Sequence, residues 1–468
     1  ALALVARASS DVVSTEQGPV TGPTALTPIQ HHLLHHDAAH AHHFNQALLL
    51  ASRQPLQPSH LEAALRRLLS HHDALRLRFS RDASSTSALH SVPPAAAEVD
   101  RPSPDASGAW ASHGVPPEEA DFFLTEVDLS SLPASEQPRA LEAEASRLQA
   151  SFVLSQPPLL RACLFHLGQG AQRLLLVAHH LVVDAVSWRV LIEDLEACYA
   201  ALLEGRTPAL PPKSSSFQTW ARRLEAHAAS AAFAREASLW HETLGTAPAP
   251  LPTDASGPNT HASERRHSLA FDAQETRLLL QEVPTAWRAS IDEVLLTALY
   301  LALREWTGQP LARVHLEGHG REALFADVDL SRTVGWFTSL VPLQVELPAN
   351  GSAGDALRTV RDARRRLPHH GIGFGLLRWL APHDTATSLR DTPVPEVAFN
   401  YLGQLDASVT ASRFFSLASE AIGSNLAPDG TRLHALELNG SVMGGRLQLT
   451  FGYSAHRHHE STIATLAS

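Results

Sequence analysis

The chain has 468 residues, more than a single hydrophobic core usually holds, so we expect two domains or lobes. A hydrophobic fraction of 44% with 18% charged residues is typical of globular proteins, and the net charge of −11 argues against a nucleic-acid-binding protein, which would carry a basic surface. Two cysteines give no disulfide framework, no apolar run reaches the roughly 18 residues of a membrane span, and the opening shows no signal-peptide pattern, so we expect a cytoplasmic protein.

The first half of the chain is predicted to mix helices and strands. Residues 1–23 are expected to form a linker, and the loose opening without an initiator methionine suggests a piece of a longer polypeptide. Apolar residues at helical spacing predict a helix over 61–75, then a strand at 75–79 and a surface excursion over 80–118. The remaining elements predicted here are a helix over 134–152, strands at 159–167 and 173–179, and a helix over 187–203 with Ser187 as its N-cap.

The second half is predicted to form another lobe after a proline- and serine-rich hinge at 207–216. Its predicted elements are a loop over 246–261, a helix over 291–306, and strands at 312–318, 334–347, 396–403 and 446–454. Runs of strands mixed with helices on both sides of the hinge indicate two α+β lobes, over 24–206 and 217–468. The two cysteines, Cys163 and Cys198, lie in apolar surroundings and are expected to be buried.

The most distinctive segment is HHLVVDAVSWRVL, residues 179–191. A histidine titrates near neutral pH and suits proton transfer. Because successive side chains of a strand point to opposite faces, only one of His179 and His180 can face a cleft, and we expect it to be His180. Asp184 is expected to form a structural ion pair with an arginine rather than to orient the imidazole. The spacing alone leaves open a proton-transfer group, a metal site or a buried pair and favours the buried pair; no further ligand stands nearby, so no metal site is predicted.

The segment HLEGHGRE, residues 315–322, ends another predicted strand. Strand alternation places His315 and Glu317 on one face, and the glycines that follow permit a tight turn and a close approach of substrate. Arg321 and Glu322 are interpreted as a surface pair. Taken alone, this segment is best explained as a solvated loop.

The segment FNYLGQLD, residues 399–406, places Asn400 and Tyr401 on opposite strand faces. An asparagine can donate and accept hydrogen bonds, and a tyrosine can donate to a developing oxyanion. The alternative is an ordinary junction between a strand and a turn.

Together and in this order, the segments resemble the epimerization domain of nonribosomal peptide synthetases, a branch of the condensation-domain superfamily. The HHxxxD motif is shared by the superfamily, whereas EGHGRE, RTVGWFT and FNYLGQ are specific to the epimerization branch. The matching stretches are TPIQ at 27–30, HHLVVDAVSWRVL at 179–191, DEVLLTAL at 292–299, EGHGRE at 317–322, RTVGWFTSLVPL at 332–343, PHHGIGFG at 368–375 and FNYLGQ at 399–404.

The resemblance implies an α+β fold, an α/β sandwich of two chloramphenicol-acetyltransferase-like lobes in a V-shaped pseudo-dimer around a central tunnel. Three departures from the family pattern stand out: Ala185 replaces the usual Gly, residues 31–33 lack the usual aromatic pair, and Phe374 replaces the usual Tyr. The added methyl group of Ala185 is expected to strain the turn or narrow the tunnel.

The implied activity is L-to-D epimerization at Cα of an aminoacyl or peptidyl group held as a thioester on a peptidyl carrier protein. Deprotonation and reprotonation through an enolate need proton-transfer groups and donors near the thioester oxygen. By resemblance His180 and Glu317 are the catalytic pair. The residues implied to bind substrate or support the oxyanion are Asn400, Tyr401, Ser187 and Trp336, and those implied to support the site are His179, Asp184 and Arg332, with Arg332 as the partner of Asp184.

No intrinsic cofactor is expected, because the substrate would arrive on the phosphopantetheine arm of a partner carrier domain. The expected partners are an upstream peptidyl carrier protein domain and a downstream condensation domain or module, with no nucleic acid and no membrane. Two other functions remain open. A condensation domain would form a peptide bond between carrier-bound groups and would not require Glu317, and a non-catalytic domain would only recruit partners.

Overall fold

The computed structural model of the protein describes residues 15–81, 109–382, 389–404 and 412–468. Residues 1–14 of the predicted linker, 82–108 of the predicted excursion and 405–406 of the FNYLGQLD segment lie outside the described residues. In the described part of the chain, no helix is both long enough and apolar enough to cross a membrane.

The strands of the described chain form three sheets. A five-stranded sheet has the order β12-β2-β7-β6-β5, a six-stranded sheet the order β10-β9-β11-β13-β14-β8, and a small sheet the order β1-β4-β3. The strands are β1 (Gly22–Thr24), β2 (Asn45–Ser52), β3 (Leu77–Arg81), β4 (Trp110–Gly114), β5 (Leu124–Asp128), β6 (Leu160–His166), β7 (Gln172–His179), β8 (Glu264–Ala270), β9 (Leu311–Gly318), β10 (Ser339–Glu346), β11 (Val397–Gln404), β12 (Phe415–Leu417), β13 (Leu436–Met443) and β14 (Arg446–Ser454).

Helices flank both large sheets. They are α1 (Pro28–His36), α2 (Pro58–His71), α3 (Gln137–Gln149), α4 (Ala185–Leu203), α5 (Phe217–Ala228), α6 (Ala231–Ala234), α7 (Glu236–Thr243), α8 (Ala273–Arg277), α9 (Val283–Trp287), α10 (Ile291–Thr307), α11 (Ala353–Arg365), α12 (Gly373–Trp379) and α13 (Glu460–Ala467).

The first lobe is organised by the pair of antiparallel strands β6 and β7 and by the helix α4 that follows them. The predicted strands are confirmed to within one residue, and α4 begins two residues before the predicted helix. Its apolar stripe is buried as predicted at Val190, Leu191 and Leu195, and the helix packs against α2. Both cysteine thiols are buried as predicted, Cys163 in β6 and Cys198 in α4.

One prediction about the first half of the chain needs correction. The predicted excursion over 80–118 contains β4, which pairs with β3 and β1, so part of it is ordered sheet. The short strand β12 pairs with β2, so a segment from the second half of the chain completes the sheet of the first lobe. The division at the hinge 207–216 stays a prediction, although β12 passes from the second half of the chain into the sheet of the first lobe.

The second lobe brings together the strand ends that carry the predicted polar groups. β11 lies between β9 and β13 and runs parallel to both, with Ala398 opposite His315 and Glu437. Helices α10 and α11 pack on each other, and α11 also packs on β10. The predicted strand over 334–347 is shorter than expected, because residues before Ser339 form irregular structure that contributes to the site.

Candidate active site

A cavity of about 230 Å³ lies between the two lobes. The first lobe contributes α1, the segment that follows it and the turn at the end of β7. The second lobe contributes the end of β9, the segment before β10, and strands β11 and β13. The polar and aromatic residues that line it include His180, Glu317, Trp336, Asn400, His434 and Glu437.

The histidine pair divides as predicted into one buried ring and one that faces the cavity. His179 is fully buried; its Nε2 donates to the Ala41 carbonyl oxygen at 2.6 Å, and its Nδ1 accepts from the Leu181 N–H at 3.2 Å. Burial lowers the pKa of His179 to about 3. With both nitrogens committed and no charge, His179 supports the strand end and leaves its neighbour to face the cavity.

His180 opens a short 3₁₀ turn, His180–Val182, and lines the cavity. Its Nδ1 donates to the Val183 carbonyl oxygen at 2.9 Å, and its ring packs against Trp336 with centroids 4.4 Å apart. Its Nε2 accepts from the side-chain amide of Gln46 at 2.9 Å. Burial lowers the pKa of His180, although the nearby charge of Asp184 opposes the shift. The imidazole is therefore neutral at pH 7, with its proton on Nδ1.

Asp184 forms its ion pair with Arg321 and not with Arg332, so the predicted partner was wrong. Arg321 Nη2 lies 2.9 and 3.1 Å from the two carboxylate oxygens, and both side chains are buried. The interpretation of Arg321 as half of a surface pair was also wrong. The pair connects the first lobe to the second, and it is anchored by donation from Arg321 to the carbonyl oxygens of Leu330 and Thr333.

Ser187 was predicted as the N-cap of α4 and as a substrate-binding residue, and the structure places it in neither position. Asp184 is the N-cap, since its carboxylate accepts from the Ser187 N–H at 2.7 Å. Ser187 is fully buried, and its hydroxyl donates to Asp184 and receives a hydrogen bond from the Gly335 N–H. It braces the turn, and it is absent from the lining of the cavity.

Ala185 occupies the first position of α4 and is exposed. It is not among the described residues with positive φ, and it does not line the cavity. The expected strain or narrowing is therefore wrong: Ala185 is exposed at a helix start, where alanine is well accommodated.

Glu317 lies near the end of β9 and is exposed at the cavity surface, where the surrounding protein removes much of the bulk water around its carboxyl group. Gly320 makes the following turn possible: its φ is +67°, and a Cβ there would clash with the Phe337 carbonyl oxygen. Burial raises the pKa of Glu317 to about 7, the charge of Glu437 adds to the rise, and a hydrogen bond from Asn400 opposes it. Both forms of this carboxyl group are therefore populated at neutral pH.

Asn400 and Tyr401 lie on opposite faces of β11, as alternation requires. Asn400 lines the cavity beside Glu317. The Tyr401 ring packs on the other face, against Gly440 of β13 and towards Asp292 of α10. The predicted substrate contact of Tyr401 therefore has no counterpart in the geometry, and the polar group that β11 brings to the cavity is Asn400.

Trp336 forms part of the cavity wall. Its indole lines the cavity against His180, and among the described residues its buried Nε1–H has no hydrogen-bond partner. Buried donors without partners are rare in proteins, and protein encloses this N–H, so a ligand would reach it only after neighbouring side chains moved.

Arg332 pairs with Asp194 and Glu193 on α4, where it ties the second lobe to the first. Asp194 also belongs to the one group of potential metal ligands found among the described residues, with His71 and His72. This group lies outside the cavity, and the Arg332 guanidinium and His72 Nε2 already occupy the two carboxylate oxygens. Both oxygens of the Asp194 carboxylate therefore have hydrogen-bond partners within the protein.

Three contributors to the site were not found in the sequence: Gln46, His434 and Glu437. Glu437 lies on β13 on the same sheet face as Glu317, and buried Arg432 lies 3.4 Å from its carboxylate. Strand alternation places Glu437 on the cavity face once the pairing of β13 with β11 is known, but the sequence alone does not give this pairing. Gln46 carries no comparable signal, because it follows a histidine-rich segment in an ordinary strand.

The model of the condensation-domain family matches residues 20–96 and 115–468. A linear gramicidin synthase protein from Brevibacillus parabrevis is 41% identical over 97% of the chain, and surfactin synthase subunit 1 from Bacillus subtilis is 35% identical over 97%. The chain spans only 6% and 12% of the lengths of these two relatives.

Solved structures agree with this comparison. The epimerization domain from the third module of tyrocidine synthetase B is 32% identical, with a TM-score of 0.84 over 97% of this chain and 96% of that one. The first condensation domain of the calcium-dependent antibiotic synthetase shares the fold, with a TM-score of 0.68 at 21% identity over 95% of this chain and 94% of that one. The predicted mixed α/β fold is confirmed, and the chain belongs to the condensation-domain family.

Proposed function

We propose that the chain is an epimerase that inverts the Cα centre of an aminoacyl or peptidyl group held as a thioester on a carrier protein. The observation that carries this proposal is Glu317, whose carboxyl group opens into the cavity between the lobes with a pKa raised to about 7. The similarity to an epimerization domain along nearly the whole chain supports it. Peptide-bond formation would not require a carboxyl group with a raised pKa at this position.

The protonation states suggest how the two groups divide the work. Neutral His180 accepts the Cα proton on Nε2, the C–H bond breaks, and its electron pair is delocalised into an enolate. Glu317 in its acid form then donates its proton to the opposite face of Cα. The step leaves an imidazolium and a carboxylate, so the net charge of the site is unchanged, and proton exchange with solvent restores the starting forms.

The enolate oxygen needs hydrogen-bond donors. The Asn400 amide lines the cavity and would serve this purpose. Donors that are already oriented stabilise developing negative charge without the cost of reorganisation. The substrate would reach them on a phosphopantetheine arm, so the chain itself needs to supply only acid, base and donors.

The test is deuterium incorporation at Cα of a carrier protein loaded with an aminoacyl thioester, with the configuration of the released product determined by chiral chromatography. We expect wild-type protein to exchange the Cα proton, and Glu317→Gln and His180→Ala each to lose at least about a hundredfold in rate, the usual scale for one acid–base group. Glu322→Gln is the matched control, since this carboxylate belongs to the same segment but does not line the cavity. If both active-site variants kept wild-type exchange, the proposal would be wrong.

Peptide-bond formation is the second candidate, because the family model is that of condensation domains. The same assay distinguishes the two when a second, aminoacyl-loaded carrier is added. Transfer to that carrier without Cα exchange would establish condensation, and neither exchange nor transfer would indicate a recruitment domain.

A further inference from the structure

We propose that Gln46 is a positioning residue for His180 that serves the imidazole in both of its protonation states by a half-turn of its side-chain amide. The proposal rests on the proposed function, because it assumes that His180 gains and loses a proton. Gln46 lies on β2, opposite Ala178 of β7, and its side-chain amide contacts the Nε2 of His180, although Gln46 is not among the residues that line the cavity.

The hydrogen bonds define which state the structure holds. His180 Nδ1 faces the Val183 carbonyl oxygen at 2.9 Å and must carry a proton. Nε2 therefore holds a lone pair when the ring is neutral, and the Gln46 amide nitrogen, 2.9 Å away, donates to it. This bond occupies the lone pair that would accept a proton from substrate.

The other end of the same amide is unsatisfied. Gln46 Oε1 is buried and has no hydrogen-bond partner among the residues that the structure describes. A buried acceptor left without a partner is costly, and such groups call for an explanation. Rotation of the amide by half a turn would exchange its oxygen and nitrogen, and the oxygen would then accept from a protonated Nε2.

The imidazole itself has little freedom to make this adjustment. Its ring is fixed by the Val183 carbonyl oxygen and packs against the aromatic rings of Trp336 and Phe44, at centroid distances of 4.4 and 5.5 Å, and these two rings also contact each other. The amide is therefore the part that moves. The half-turn would take the amide N–H off the lone pair as the proton arrives, and the amide oxygen would then accept from the protonated Nε2.

Several titratable groups face His180 and would influence the same equilibrium. Asp184 follows in the turn, His179 precedes it on β7, His43 lies in the segment before β2, and Glu317 faces it across the cavity. None of these groups is altered in the variants below, so differences among the variants report on position 46.

The experiment measures the protonation midpoint of His180 by NMR of protein labelled with ¹⁵N-histidine, with the signal assigned from its loss in His180→Ala. Wild type is compared with Gln46→Glu, which offers only acceptors, and with Gln46→Met, which has similar length and no amide. We expect Gln46→Glu to raise the midpoint by about one to three pH units, as an opposite charge at this distance does. We expect Gln46→Met to lower it, because the imidazolium loses its acceptor.

The sign for Gln46→Met separates the proposal from a simpler role. If Gln46 only donated to the neutral ring, removing it would destabilise the neutral form and raise the midpoint, which would overturn the proposal, as would three identical midpoints. Gln218→Met, which removes an amide that bonds to the Thr21 and Pro23 carbonyl oxygens, is the control and should leave the His180 signals unchanged.

Cα exchange gives an independent readout. Gln46→Met is expected to lower kcat about tenfold to a hundredfold, the effect of one lost hydrogen bond to a charged group, with little change in KM because Gln46 does not line the cavity. If the His180 midpoints followed the expected order but wild type exchanged no Cα proton, the proposed function would be wrong and the role of Gln46 would be supported. If wild type exchanged the Cα proton but the His180 midpoints followed another order, the proposed function would be supported and the role of Gln46 would be wrong.

Discussion

Replacing Glu317 by glutamine is expected to stabilise the folded protein at pH 8 and to leave its stability nearly unchanged at pH 4.5. Burial and the charge of Glu437 raise the pKa of Glu317 from its ordinary value of 4.5 to about 7. The folded state therefore binds this proton more tightly than the unfolded state. The stability that this proton contributes is complete below pH 4.5. It is lost as the pH rises through 7, because the folded protein must then hold an ionised carboxylate in surroundings that favour the protonated form.

The magnitude follows from the same two values. A carboxyl pKa that moves from 4.5 to about 7 corresponds to about 3 kcal/mol well above both values. Glu317 is open to the cavity, however, and solvent there screens the charge, so we expect about 1–2 kcal/mol. With typical unfolding entropies per residue, this is about 1–2 °C in Tm for a chain of this length.

Differential scanning calorimetry of wild type, Glu317→Gln and the control Glu322→Gln at pH 4.5 and pH 8 measures the effect. The Glu317→Gln variant should gain stability over wild type only at pH 8, whereas the control should show no such pH dependence. A loss of stability at pH 8, or a gain that is equal at both pH values, would refute the reasoning. Glutamine keeps the shape of the side chain, so packing does not obscure the comparison.

Three further outcomes are expected. Arg321→Gln should lower the free energy of unfolding by about 3–5 kcal/mol, because it leaves Asp184 buried without its charged partner. Calorimetry of the Asp184→Asn/Arg321→Gln double variant should show that part of the lost stability is restored. The rate of Cα exchange should fall as the pH rises above about 7, because Glu317 must be protonated to donate; a rate that keeps rising to pH 9 would contradict this. Tyr401→Phe should exchange Cα within about twofold of wild type, since its hydroxyl lies on the far face of β11.

The sequence predicts well those helices and strands whose apolar residues recur with a regular local period. The helix predicted over 291–306 is observed as Ile291–Thr307, and the strand predicted over 446–454 has the same bounds. An apolar stripe or an alternating run is sufficient to define such an element, because burial of one face stabilises it wherever it packs. The separation of His179 from His180 by strand alternation is a prediction of the same kind.

Contacts between distant segments are the part that local pattern cannot provide. Arg321 and Asp184 are 137 positions apart, and nothing in either segment distinguishes Arg321 from Arg332 as the partner. Strand β12 joins a sheet whose neighbouring strand, β2, belongs to the first 52 residues of the chain. Gln46 meets His180 only because β2 pairs with β7. Such pairings depend on topology, which the sequence pattern leaves undetermined.

The two carboxylates on the cavity face of the second sheet show how surroundings assign chemical roles. Burial alone would raise the pKa of Glu437, but the hydrogen bond from His434 and the charge of Arg432 outweigh it and hold the pKa below its ordinary value. In the described part of the chain, the Asn400 amide is the group that opposes the effect of burial on the pKa of Glu317, and the charge on Glu437 raises this pKa further. Environments that push two pKa values apart mark one group as a fixed charge and the other as a proton carrier. This contrast favours Glu317 over Glu437 as the acid of the reaction. It also predicts that Glu437→Gln, which removes the fixed charge, would lower the pKa of Glu317. The pH at which the rate of Cα exchange begins to fall would then be lower than in wild type.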